Sequence, residues 1–402
     1  MNQNQYHYAS YIALTSLILG FILQFSLGSI SKSWFSFPYN IFTGFAFLII
    51  STSIFFIFKK KPFTQLHSSA PFAIVTVATL GFLTIGLGSI HYDPQVSPNA
   101  FLSRLGLEDL TKTWYFALIF FMALTNLWFS VLKRSLVYQS KNIPFLLNHF
   151  GLWLVMFAGV LGQGDIARLK MTLQKDKVEW RATDEKGNIV ELPIALELKE
   201  FSIDIYPNKL FIIDTLGNSL PKNKPIGFML EKEGESATLL DWKITLHQYL
   251  EKAIPDTDST YVNHTMWGAT NAAYVTVEHL PTHKKQTEWI SAGNFQLPPR
   301  AIDLDPEHTL VMAPPEAKRF QSEVLIYEQG KEDIIRQEKI EVNHPIEVGG
   351  WRIYQVSYDE PMGRWSERSV VELISDPWLP VVYTGIFMLI IGGIAFLLTN
   401  RK

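Results

Sequence analysis

The 402-residue chain contains no cysteine. That absence excludes a disulfide framework, a thiolate nucleophile, cysteine-ligated zinc or iron–sulfur sites, and the CxxCH attachment of covalent haem. It does not threaten folding, because a soluble domain of roughly 200 residues can build a core without staples. Charge is scarce too, at 18% of residues, and unevenly so. Residues 165–376 hold 24 Lys+Arg and 35 Asp+Glu, a net of −11. The remainder holds 11 basic and 3 acidic residues, a net of +8, which together recover the chain's −3. A split this large implies two environments rather than one globular body. The motifs of familiar enzymes are also missing: there is no P-loop, no GxGxxG, no serine nucleophile elbow and no carboxylate pair suited to hydrolysis.

What is present is apolar sequence in long runs. A bilayer-crossing helix needs about 20 residues. Residues 11–30, 41–58, 70–90, 113–132, 144–163 and 378–398 each approach that length without one Asp, Glu, Lys or Arg. The first run lacks the basic n-region of a signal peptide and reads as an uncleaved span. Short-loop charge then orients the spans. Lys59, Lys60, Lys61, Lys133, Arg134, Lys141, Arg401 and Lys402 fall on one side, whereas the opposite short loops carry Lys32, Arg104 and Lys112 against Asp93, Glu108 and Asp109. Both termini are expected in the cytoplasm of a bacterial cell, with the chain multi-pass in the inner (cytoplasmic) membrane and residues 165–377 extracytoplasmic. The expected fold class is therefore an α-helical membrane bundle of six transmembrane helices, with a large mainly-β domain inserted between helices five and six. Its parts are a five-helix region at 1–164, of which 1–62 forms the first two spans, the β domain at 165–377, and a last helix with a short tail at 378–402.

The β expectation rests on period-two alternation. Ile194, Leu196 and Leu198 alternate with polar residues, and Phe201, Ile203 and Ile205 do so after a slip of one. Trp242, Ile244 and Leu246 alternate likewise, as do Tyr354, Val356 and Tyr358. Gly187-Asn188 and Gln329-Gly330 lie between such runs and suggest hairpin turns. An antiparallel sandwich or open barrel is predicted.

Ionisable groups at membrane depth are functional candidates by default, and only histidines qualify. His67 precedes the third apolar run and His149 lies within the fifth, both toward the cytoplasmic end by the orientation above. His91 begins the loop at the opposite face. The structural alternatives are a solvated interfacial histidine for His67 and, for His149, a hydrogen bond to a neighbouring backbone worth about 0.6 kcal/mol. The chemical alternative is axial ligation of haem iron by neutral imidazole in a dry slot. The remaining histidines are scattered. His279 and His283 are four apart, but Pro281 between them argues against a shared helix face.

The C-terminal stretch IEVNHPIEVGGWRIYQVSYDEPMGRWSERSVVELISDPW carries a VNxP segment at 342–345, an aromatic IYQxSY strand at 353–358 and a DP dipeptide at 376–377. Together with TWYFALIFFMALTNLWFSVLKR, NHFGLWLVMFAGVLGQGD and FSIDIYPNKLFIID, this resembles the ResB (CcsB) family of system II cytochrome c biogenesis proteins over residues 66–399. The resemblance implies a non-catalytic subunit of a haem-export and cytochrome c haem lyase (synthase) complex. With a CcsA-type membrane subunit it would carry haem across the bilayer and present it to apocytochrome c. It also implies one non-covalent haem b shared with that partner, ligated by one histidine from each subunit. His67 matches the family's ligand position, with His149 the second candidate. The Trp-rich haem-handling segment of the CcsA half is absent here, so the partner would be a separate chain. Two spans precede the family-like region, and no cysteine is present to exchange with apocytochrome thiols. No nucleic-acid partner is expected. The alternative is a membrane-anchored β-domain scaffold or binding module without haem.

Overall fold

The computed structural model describes residues 3–90, 92–93, 96, 98–137, 139–257, 260–330 and 336–399. His91, Arg401 and Lys402 lie outside the described residues. The chain divides into two compact units, Met1–Ala167 with Ser375–Lys402, and Arg168–Ile374.

The first unit is helical. Its elements are α1 (Gln3–Leu27), α2 (Tyr39–Phe58), α3 (Pro62–His67), α4 (Ala70–Gly86), α5 (Ala100–Leu105), α6 (Trp114–Ser135), α7 (Ile143–Leu161) and α8 (Leu379–Thr399). Five helices are long and apolar enough to cross a membrane: α1, α2, α6, the stretch Ser140–Gly164 that contains α7, and α8. The run at 70–90 is helical only over Ala70–Gly86, 17 residues. That is about 26 Å against the ~30 Å of a hydrocarbon core. Gly86 is its last residue and Gly88 follows the C-cap Leu87, and glycine is a weak helix former. The expected six spans are thus five full-length helices and one shorter apolar helix.

Helices in a bilayer gain little from the hydrophobic effect and pack through small residues that let backbones approach. A Cβ on Gly151 of α7 would lie 2.7 Å from the Gly385 carbonyl of α8, and one on Gly392 would lie 2.5 Å from the Asn148 nitrogen. At the opposite pair, a Cβ on Gly20 of α1 would meet the Tyr115 Cα of α6 at 2.3 Å. Tyr115 is fully buried and stacks on Phe21 at 4.4 Å. Side chains between α1, α4 and α6, among them Phe72, Leu83 and Ile119, fill one core cluster.

The second unit is antiparallel β. Its strands are β1 (Ala167–Gln174), β2 (Val178–Thr183), β3 (Ile189–Ile205), β4 (Lys209–Asp214), β5 (Phe228–Met229), β6 (Ser236–Leu239), β7 (Trp242–Thr257), β8 (Thr260–Asn263), β9 (Thr270–His279), β10 (Lys284–Ser291), β11 (Ile302–Asp305), β12 (His308–Met312), β13 (Ala317–Glu328), β14 (Arg336–Glu341), β15 (Ile346–Val348), β16 (Trp351–Tyr358) and β17 (Arg368–Ser375). One sheet has the order β14-β13-β3-β2-β1-β17-β16-β15. Its two outermost strands are consecutive in the chain, joined by the turn bridged at Glu341–His344, and Ile340 of β14 shares one core with Val348 of β15 and Ile353 of β16, so the sheet curls round that core as an open barrel. Met171, Leu196, Leu198, Ile353 and Leu373 fill that core. The other two sheets, β10-β9-β7-β6 with β8 on β7, and β11-β12-β4-β5, enclose a second core of Ile212, Ile244, Val275 and Leu310.

The predicted alternations map onto these strands. Ile194, Leu196 and Leu198 are buried, and the slip before Phe201 is a β-bulge opposite Glu323/Val324. One extra residue there restores the inward face, as bulges do. Trp242, Ile244 and Leu246 are buried as a set. In β16 the buried face is the other one: Ile353 and Gln355 point in while Val356 is exposed, until a register shift turns Tyr358 inward onto Phe201. Gln355 is accepted because Ser322 and Ser369 hydrogen-bond its Oε1 at 2.5 and 3.0 Å. Gly187 and Gly330 occupy the expected turns with φ of +84° and +83°.

Within the helical unit, Asp165 gathers three elements. Its carboxylate accepts from the Phe37 amide at 2.7 Å, Asn40 Nδ2 at 2.6 Å and Trp378 Nε1 at 2.8 Å. Asn40, fully buried, also donates to the Leu161 carbonyl at the end of α7 at 2.9 Å. Burial of Asp165 opposes its ionisation, but the three donors outweigh that and hold its pKa below the ordinary carboxylate value. The folded form therefore binds its proton at lower pH than the unfolded chain, and this contribution is fully present above the ordinary carboxyl pKa and is lost as pH falls from there through the lowered value. Thermal unfolding of the purified protein should show a loss of stability as pH falls below about 4. Asp165→Asn should lack that component and be less stable at neutral pH by about 1–3 kcal/mol.

Candidate functional site

His67 ends α3, a helix opened by Pro62 in its first turn and closed by the Ser68–Ser69 turn. Ser69 then caps α4, its hydroxyl accepting from the Phe72 amide at 3.4 Å. The histidine expected at the start of the third span therefore sits in a separate short helix before it. Its ring lies between Phe63 and Phe72, with centroids 4.0 and 4.1 Å away, and only 6% of the residue is exposed.

The hydrogen bonding of that ring decides its chemistry. Nδ1 lies 3.0 Å from the Phe63 carbonyl. A carbonyl only accepts, so Nδ1 carries the proton and the Nε2 lone pair is left without it. A histidine that donates one ring N–H to a backbone carbonyl is oriented, and fixed in tautomer, as metal-ligating histidines are. Burial lowers the His67 pKa and outweighs the opposing carbonyl bond, so the imidazole stays neutral. Asn126 of α6, itself buried, donates to the His67 carbonyl at 2.7 Å and to the Ser69 carbonyl at 3.3 Å. It clamps the α3–α4 turn and thereby positions the ring. Thr64 Oγ1, one turn before His67, is buried with no hydrogen-bond partner among the described residues.

His149 repeats the arrangement in α7. Nδ1 faces the Phe145 carbonyl at 3.1 Å, and the ring stacks on Phe145 at 3.7 Å. The Arg134 guanidinium stands 5.2 Å from that phenylalanine ring. Both candidate histidines thus present an imidazole oriented by the carbonyl one turn earlier, a donor that fits haem iron. The structure does not bring the two together: among the described residues no hydrogen bond or ring contact joins them. His67 packs between α3, α4 and α6, whereas His149 stacks along its own helix.

A cavity of about 440 Å³ lies elsewhere in the helical unit, bounded by α2, α6 and α7. Trp34, Phe47, Trp114, Phe121 and Phe157 line it, and neither histidine does. In the β unit, no group of three or more His, Asp or Glu side chains has the geometry of a metal site among the described residues. His308 is engaged by Asp305 at 2.9 Å, His279 ends β9 and His283 lies in the turn that follows it.

Asn126 and Asp165 were not singled out by the sequence. A lone asparagine in an apolar run is the signal that marks Asn126, since an amide at membrane depth needs partners.

The family model described as the ResB-like family matches residues 274–372. That segment runs from β9 to β17 and contains the VNxP and IYQxSY motifs. The resemblance seen in the sequence and the match concern the same family, one associated with cytochrome c biogenesis. The matched segment includes neither His67 nor His149. No curated protein matches the chain.

If Asn126 positions His67, Asn126→Leu should leave the protein folded but release the α3–α4 turn. Amide exchange at residues 67–69 should rise about ten-fold or more, while α7 and α8 remain as protected as before.

Proposed function

We propose that this chain is a haem-handling subunit of cytochrome c biogenesis that works with a CcsA-type membrane partner to carry haem across the bilayer and present it to apocytochrome c. The observation that carries the reading is the His67 imidazole, buried, neutral and fixed with Nε2 unprotonated, in a chain whose β unit matches the ResB-like family. Bound haem b would supply the iron. His67 would hold it through Nε2, with a second ligand from the partner subunit, and His149 is the other candidate on this chain. Phe63 and Phe72 exclude water from the ring faces, the Phe63 carbonyl holds the proton on Nδ1, and Asn126 holds the turn in place. The subunit would perform no bond chemistry of its own, as the chain has no thiol to offer the apocytochrome cysteines.

In this reading the protein lies in the bacterial inner membrane, both termini cytoplasmic, with residues 165–377 outside. The cysteine-free sequence makes that testable. Single cysteines replacing Lys60 and Ser236 should be labelled by an impermeant maleimide in intact spheroplasts at Ser236→Cys only.

The haem assignment is tested by co-expressing the chain with a CcsA-type partner and recording the haem spectrum of the purified complex. His67→Ala should lose most of the haem or shift its Soret and α bands, and exogenous imidazole should restore them. His149→Ala should have little effect. If both variants keep wild-type haem content and spectrum, the β-domain scaffold without haem becomes the reading.

A further inference from the structure

Strand β3 runs for 17 residues, whereas its neighbour β2 has six. The β1–β2 turn ends that pairing: Asp176, at φ +57°, donates its amide to the Leu198 carbonyl at 2.8 Å, and past this bond β2 has no register with β3. On its other side β3 continues to pair with β13 as far as Ile205. Successive residues of a strand direct their N–H and C=O groups to alternate sides. Half of the backbone groups over residues 200–205 therefore point away from β13, and among the described residues no backbone or side-chain partner meets them.

This free edge is recessed rather than presented to open solvent. All six residues from Glu200 to Ile205 line one cleft of about 550 Å³ within the β unit. The facing wall is the strap Arg364–Glu367, which is anchored firmly: Arg364 Nη2 donates to the Glu251 and Ala269 carbonyls at 2.5 and 3.2 Å, and Trp365 Nε1 to the Ala269 carbonyl at 3.0 Å. Trp267, nearly half exposed, stands beside it and bonds the Trp365 carbonyl at 3.2 Å. Lys252 and Lys318 hold their ammonium groups 5.6 and 5.8 Å from the rings of Trp365 and Tyr206, and no ion pair joins either to a carboxylate among the described residues. Glu200, Glu251 and Glu367 line the same cleft.

We propose that the open edge of β3 at residues 200–205 is a strand-addition site that takes an extended, unfolded polypeptide segment. Only a polypeptide backbone offers donors and acceptors at the spacing of a strand edge, and edge pairing of this kind is an established mode of peptide capture. Trp267 and Trp365 would receive apolar side chains. The lysines and glutamates would receive charges of either sign, and the three carboxylates disfavour a nucleic acid. The source of the segment, the unfolded apocytochrome, rests on the functional reading above; the strand-addition site itself does not.

The test uses the full-length protein in nanodiscs and a synthetic peptide covering the haem-attachment segment of an apocytochrome c. Bound peptide should slow amide exchange within residues 200–205, and N-methylation of alternate peptide amides should weaken binding about ten-fold or more. Of Ser202→Pro and Ile203→Pro, the one whose amide faces the cleft should lose binding while keeping the β13 pairing, as read from exchange protection of β13. No peptide binding, equal binding of the N-methylated peptide, or binding without protection of 200–205 would each overturn the site. These results are independent of the haem spectrum of His67→Ala, so the two readings can fail separately.

Discussion

The interaction on which the helical unit depends is the set of hydrogen bonds converging on Asp165. Three helices begin or end there: the Phe37 amide and Asn40 belong to the start of α2, Asn40 also holds the last carbonyl of α7, and Trp378 opens α8. Chain leaves the helical unit just after Asp165 and returns just before Trp378, some two hundred residues later. Joining those two points fixes the register of α7 against α8, and the glycine contacts at Gly151, Gly385 and Gly392 can then form along the pair. A charge in this place is tolerated because every contact to it is a donor.

The His67 site follows a similar rule at the other end of the bundle, with an amide where the first has a carboxylate. An apolar helix cannot orient a turn by packing alone, since lipid and side chain are equally apolar. Asn126 supplies the directional bonds, and the Phe63 carbonyl supplies one more to the ring. The outcome is a nitrogen lone pair kept unprotonated and shielded, a property set by three hydrogen bonds and two phenylalanines.

Much of this architecture was legible in the sequence. Uninterrupted apolar runs marked the helices, because lipid imposes length and excludes charge, and alternation marked β3 and β7, because each has one buried face. The failures have physical causes. The run at 70–90 looked long enough, but hydropathy does not register the glycines that end the helix at Gly86. In β16 the aromatic residues drew attention to one face while a glutamine satisfied by two serines occupied the other. His67 was visible as a residue type in an apolar setting, whereas its proton position depends on the i−4 carbonyl and a bond from Asn126 59 residues away. The free edge of β3 could not be read at all, as it arises from a difference in length between two partners.

The strand order of the barrel sheet has a further consequence, in the timing of folding. β1, the first strand made, lies between β2 and β17, the last. Its second row of hydrogen bonds must wait until nearly the whole β unit has been synthesised, and the sheet ends that close on each other, β14 and β15, also come late. Contacts so distant in sequence close slowly, because the intervening chain loses its freedom before they form. During synthesis the half-made barrel would carry an unsatisfied strand in β1, and its completion comes just before α8 is made. The strand that completes the barrel and the last helix are thus made one after the other, at the very end of each new chain.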